Sequence, residues 1–178
     1  MLRHFGLWAA ASLALSWGCA RASTFEDQNH VYTITFPHGW TVHENDANNI
    51  AWVTARSPVE KQRDSYLENI QITYNQKASK TSLNDYLPEM LLFMKEKYAD
   101  VNIEEIGSTV LADHEAKWIL FTSKGPGETG QQVPLKAIHY VLVADNHLMI
   151  LLCVAPIDRF EDWKPTFEQS LKTLKFLN

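Results

Sequence analysis

The chain has 178 residues, 46% of them hydrophobic and 21% charged, and a formal net charge of -5. That length fills one core and is short for two, so a single domain is expected. Lys and Arg are scattered among more numerous acids, which excludes the basic stripe that a nucleic-acid binder needs.

Residues 1–22 differ from the rest. Arg3 supplies a positive start, and 5–17 is an apolar stretch free of charge, the layout of an export signal. The run is shorter than the about 20 apolar residues of a spanning helix, and no later segment reaches that length. The mature form is therefore expected to have no transmembrane span. Two exits from the signal compete. Ala20-Arg21-Ala22 places small residues where a signal peptidase cuts, giving a mature domain of residues 23–178. Gly18-Cys19 offers a lipoprotein junction instead, with Leu15 four residues before the cysteine rather than three. Cys19 would then carry lipid and supply the membrane contact. The expected location is periplasmic or secreted, with the lipid-anchored form as the alternative. Losing 1–22 removes Arg3 and Arg21 and no acid, which takes the formal charge from -5 to -7.

Cleavage after Ala22 leaves Cys153 as the sole cysteine, so no intramolecular disulfide can form. In Leu148-Met149-Ile150-Leu151-Leu152-Cys153-Val154 it reads as a buried thiol rather than a nucleophile.

In chain order, Tyr32-Thr33-Ile34-Thr35-Phe36 alternates apolar residues with threonine, a half-buried strand, and Pro37-His38-Gly39-Trp40 turns the chain. Strands follow at 50–55 and 69–74. A helix opens at Ser82 with Asp85 three residues on, runs to about residue 99, and shows Leu83, Tyr86, Leu87, Met90, Leu91 and Met94 on one face; Pro88 should bend it. Further strands fall at 103–111, 117–122, 133–143 and 147–154. Turns as short as 112–115 and 145–146 require antiparallel pairing. A second helix opens near Asp158, with Phe160, Trp163, Phe167, Leu171 and Leu174 at helical steps, and Pro165 permits a later start. The strand 148–154 is apolar on both faces, so both must be covered. The predicted fold is α+β, an αβα sandwich with a central antiparallel sheet flanked by helices.

The order of these pieces resembles the PsbP-like family, which includes the extrinsic PsbP protein of photosystem II and exported bacterial relatives such as DcrB-like proteins. The resemblance rests on Tyr32-Thr33-Ile34-Thr35-Phe36-Pro37-His38-Gly39-Trp40, the helix start Ser82-Leu83-Asn84-Asp85-Tyr86, and the hairpin at 112–115. It closes on Trp163-Lys164-Pro165-Thr166-Phe167 and Ser170-Leu171-Lys172-Thr173-Leu174-Lys175-Phe176. It implies a non-enzymatic binding or assembly module without naming its partner; for an exported domain the expected partner is a protein of the cell envelope.

Chemical motifs are sparse. Gly125-Pro126-Gly127-Glu128-Thr129-Gly130 matches GxGxxG, but a strand follows it where a dinucleotide site needs a helix, so no cofactor is expected and the segment reads as a mobile loop. His38 and His43 flank Trp40, with Glu44 and Asp46 nearby, yet no spacing forces four ligands together. There is no GxSxG elbow, and His114, between Asp113 and Glu115, occupies a turn. Trp118 and Trp163 read as core, and Trp40 and Trp52 lie near the turns. The candidate binding surface is His38, Trp40 and His43 together with Gly125, Gly127 and Gly130. The alternatives to a non-enzymatic binding protein are a metal-dependent one centred on the first hairpin, or a small periplasmic hydrolase.

Overall fold

The computed structural model describes residues 24–47, 50–59, 65–75, 82–144 and 147–177; the export segment 1–22, Cys19 and the turn at 145–146 lie outside them. In chain order the elements are β1 (Thr24–Glu26), β2 (Tyr32–Thr35), β3 (Thr41–Ala47), β4 (Ile50–Arg56), β5 (Asn69–Asn75) and α1 (Leu83–Lys97). They continue with β6 (Ala99–Leu111), β7 (His114–Pro126), β8 (Gln132–Ala144), β9 (His147–Pro156), α2 (Phe160–Leu171) and β10 (Lys175–Phe176).

A seven-stranded sheet runs β3-β4-β5-β9-β8-β7-β6, and a small one runs β1-β2-β10. All pairings are antiparallel, as the short turns require. The doubly apolar strand, β9, sits at the centre of the large sheet. Its alternate residues divide between two buried clusters. Met149, Leu151, Cys153 and Ala155 join Phe160, Phe167 and Leu171 of α2. Leu152 and Val154 join Met90 and Met94 of α1, with Leu148 and Ile150 packed against them. Successive strand residues point to opposite faces, which is why one strand can serve both clusters.

Ser82 is the N-cap of α1 as expected, its Oγ accepting from the Asn84 N–H at 3.2 Å. Lys95 and Lys97 in the last turn face the negative end of the helix dipole. The helix stops at Lys97 rather than 99, because Tyr98 is extended and Asp100 turns the chain at φ 53 into β6. Helix α2 begins at Phe160, two residues past Asp158, and continues through Pro165 without splitting.

Strand β3 and the small sheet were not anticipated. Thr-Val-His-Glu-Asn-Asp-Ala carries too few apolar residues to show a period, as suits a strand at the edge of its sheet, and β10 is two residues long. The strand read at 32–36 lies in the small sheet, where Tyr32, Ile34 and Phe36 enter the larger cluster. Asp27 closes the β1–β2 link. Its carboxylate accepts the N–H groups of Asn29, Val31 and Tyr32 at 3.1, 2.5 and 2.8 Å, and the residue is buried.

A second buried acid ties layers together. Ser57 donates both its N–H to the Glu68 carbonyl and its hydroxyl to Glu68 Oε2, each at 2.8 Å. Arg159 at the N-cap of α2 brings Nη2 to 3.1 Å from Oε1; its N–H vectors miss that oxygen, so the contact is one of charge rather than a hydrogen bond.

The glycine-rich segment is a tight hairpin rather than a mobile loop. Strand pairing persists to Pro126↔Gln132, and the Gly127 N–H donates to the Gln131 carbonyl at 2.7 Å. The Glu128 N–H donates to the Ser65 carbonyl at 3.0 Å, docking the hairpin on the β4–β5 connection. Gly130 supplies the positive φ of +82, and a Cβ on Gly127 would lie 2.3 Å from the Ser65 oxygen. Gly127→Ala should therefore lower stability by about 2 kcal/mol through overpacking, measured by urea unfolding. An unchanged midpoint would mean that the hairpin is not docked on Ser65.

Candidate functional site

Helix α1 lies against β6, β7 and β8. Across the neighbouring strands, Trp52, Thr73, Ile150 and Val141 are in register and share the α1 side of the sheet. On β5 this side is polar, carrying Asn69, Gln71 and Thr73, while Ile70, Ile72 and Tyr74 belong to the α2 cluster. Two chambers with shared lining residues open on this half-polar surface, the first under α1 and the second beyond the helix's C-terminal end, which it meets at Lys97.

The first, of about 410 Å³, has Met90 and Phe93 of α1 on one wall and Leu148, Ile150 and Leu152 of β9 on the other. Tyr86 and Glu89 border it from the helix, and His139 of β8 borders it from the sheet. The second, of about 420 Å³, runs from Tyr66 and Phe121 toward Arg56, Lys97 and Lys124. Gln71, Tyr98 and Leu152 line both. Each volume falls within the ~300–1,000 Å³ of small-molecule sites.

His139 is 4% exposed, and its Nδ1 has no hydrogen-bond partner. Burial pushes its pKa down to about 4, so the ring is neutral at ordinary pH. Burial also raises the Tyr98 and Tyr66 hydroxyls, which remain protonated. Beside the second chamber Gln71 donates to Asn69 Oδ1 at 2.8 Å, and Asn69 donates to the Tyr66 hydroxyl at 2.9 Å. Arg56 lies 3.9 Å from Glu128, and Lys124 is 2.7 Å from Asp100, which raises the lysine and lowers the acid. Lys97 makes no ion pair with any described residue.

Leu152 is buried on the central strand, as its sequence context requires, but it borders both chambers. Leu152→Ala should cost about 2 kcal/mol, the lower end for a buried leucine, because part of its surroundings is already open. Leu151→Ala, at 0% exposure, should cost more. Equal losses in thermal unfolding would mean that the chambers are closed.

The predicted surface residues do not converge here. His38 and His43 are exposed. Trp40 is half-buried, its ring 5.8 Å from Trp163 and 6.4 Å from Phe167, so it belongs to the α2 cluster's margin rather than to a free edge. In the sheet order, strands β4, β5 and β9 stand between His43 on β3 and the β7–β8 hairpin that carries Gly125, Gly127 and Gly130. Of the three, only Gly125 touches the groove, in the second chamber. Glu44 accepts the Gln28 N–H at 3.2 Å, and no three of His, Cys, Asp and Glu converge among the described residues. His114 packs edge-on against Phe176 at 5.1 Å. Cys153 is 1% exposed, and burial pushes its thiol pKa up, away from nucleophilic character.

His139 was missed. The available signal was that it stands in phase with Val133, Leu135, Ala137 and Val141, a lone polar residue in an apolar series.

No protein-family model matches the chain, and no curated protein matches it. Solved structures do. Cyanobacterial PsbP (CyanoP) from Synechocystis sp. PCC 6803 aligns with a TM-score of 0.64 at 14% identity, over 95% of this chain and 98% of that one. LpqN, involved in cell envelope biogenesis of Mycobacterium tuberculosis, aligns with a TM-score of 0.56 at 7% identity, over 89% and 91%. Protein PA94 of Pseudomonas aeruginosa, of unknown function, aligns at 0.58 and 10% identity over 85% and 94%. The chain thus has the PsbP-like fold: a large antiparallel sheet with two helices. No helix of the described residues is long and apolar enough to cross a membrane.

Proposed function

We propose that this protein is an exported, non-enzymatic binding or assembly protein of the cell envelope, an αβα sandwich that holds an envelope component in the groove beneath α1. The groove carries the reading: a mostly apolar chamber continuous in its lining with a polar one. Two details favour binding over chemistry. His139 is neutral with an unpartnered Nδ1, whereas a general base is held by an orienting partner. The thiol of Cys153 belongs to the opposite cluster. The envelope setting is supported by the export signal in residues 1–22 and by the likeness of fold to LpqN. An envelope protein is the partner with which the module works. Cleavage after Ala22 keeps every described strand, and the mature protein of residues 23–178 is periplasmic or secreted.

The test is capture from envelope extract with the mature domain and with Leu148→Trp, which fills the first chamber. Recovery of a component by the native domain and its loss from the variant are expected. Equal recovery moves the site off the groove. N-terminal sequencing should give Ser23, with the protein in the aqueous phase after detergent partition; lipid labelling abolished by Cys19→Ser would make it an anchored lipoprotein instead.

A further inference from the structure

We infer that the two chambers form one groove for a single-chain amphiphile with an anionic headgroup, its hydrocarbon in the first chamber and its headgroup among Arg56, Lys97 and Lys124. The inference rests on the groove being the binding site and adds what it binds.

The orientation follows from how charge is divided along the groove. The first chamber places Met90, Leu148 and Ile150 around the space, with Phe93 half exposed at its rim. Its ionisable neighbours are unsuited to an anion: Glu89 carries the same sign, and His139 is an uncharged ring. Hydrocarbon asks for no charge there. The second chamber reverses the sign. Three cations line it against one acid, Glu128, in a protein whose formal net charge is -5. Lys97 has no ion-pair partner among the described residues, and Arg56 meets Glu128 only at 3.9 Å, half exposed, so its guanidinium edge can turn to a ligand. Lys124 is held by Asp100 at 2.7 Å and contributes field more than a free donor. Gln71 and Tyr98, common to both chambers, lie where chain gives way to headgroup. The headgroup chemistry is a carboxylate or phosphate on one acyl or alkyl chain.

The full mature domain is titrated calorimetrically with dodecanoate, dodecyl phosphate and dodecanol below their aggregation limits, at low and moderate salt. The anionic compounds are expected to bind, and dodecanol about tenfold or more weakly, a gap that narrows as salt screens the cations. Preference for dodecanoate over dodecyl phosphate, or the reverse, tells a fatty-acid source from a phospholipid one. Arg56→Glu with Lys97→Glu, both at exposed positions, should weaken the anions about tenfold and leave dodecanol unchanged. Leu148→Trp should exclude all three, with circular dichroism confirming the fold. Dodecanol binding as well as the anions, with no effect of charge reversal, overturns the headgroup assignment while leaving the groove a binding site. Absence of binding by all three, or binding that Leu148→Trp leaves intact, overturns the groove itself.

Discussion

Arg159→Ala is expected to destabilise the domain by about 4 kcal/mol, the scale for leaving a buried charge without its partner. Glu68 is 2% exposed, and one of its oxygens takes the Ser57 hydroxyl while the other faces the Arg159 guanidinium. Removing the arginine strands that second oxygen and also takes away the cation 5.8 Å over the Trp163 ring. The arginine itself is 29% exposed, so water partly replaces it and the loss stays below the upper limit for buried pairs. Adding Glu68→Gln to Arg159→Ala should recover much of the loss, since the amide keeps an acceptor for Ser57 and carries no charge. Urea midpoints for the two single variants and the double variant measure this. Additive losses would show that the two groups do not interact.

The second large effect is one of pH. The His139 pKa falls from an ordinary 6.5 to about 4 on folding, with burial as the cause. Above pH 6.5 the ring is neutral folded and unfolded, and its contribution to stability is constant. As the pH falls from 6.5 to 4, the unfolded chain takes up a proton that the folded chain refuses, so stability drops; below 4 both forms are protonated and the loss levels off at about 3 kcal/mol. Tyr86, Glu89 and Tyr98 border the same chamber, and burial keeps Tyr98 neutral throughout this range. His139→Leu should flatten the decline between pH 7 and pH 4.5 by most of that amount. A variant whose stability falls as steeply as the native protein's would mean that His139 is solvated.

The parts of this architecture that could be read in advance are those settled by neighbours in sequence. Ser82 announces its helix because the hydroxyl acts within two residues. The 112–115 turn shows because Leu111 pairs with His114 directly. The double apolar pattern of β9 is visible since no half-exposed strand can carry it. The groove is different. Asn69, Gln71 and Thr73 alternate with Ile70, Ile72 and Tyr74 as they would on a strand facing water, and only tertiary structure reveals that this polar face looks into a chamber. The glycines of 125–130 drew attention as a recognition loop, whereas contact with Ser65, far away in sequence, explains Gly127. Trp40 likewise turned inward onto a helix more than a hundred residues later.

Strand β2 pairs on one side with β1, close behind it in the chain, and on the other with β10, through Tyr32↔Phe176 and Thr33↔Lys175. A chain emerging from its N-terminus can zip β1 to β2 at once, but must hold the other edge of β2 unpaired until residues 175–176 arrive. Helix α2, which packs on β2 and β9, is delayed for the same reason. Tyr32, Ile34 and Phe36, all buried in the finished protein, therefore stay uncovered through most of synthesis. The delay suits the export proposed above, because residues 24–26 and 175–176 must both be present before the small sheet can close.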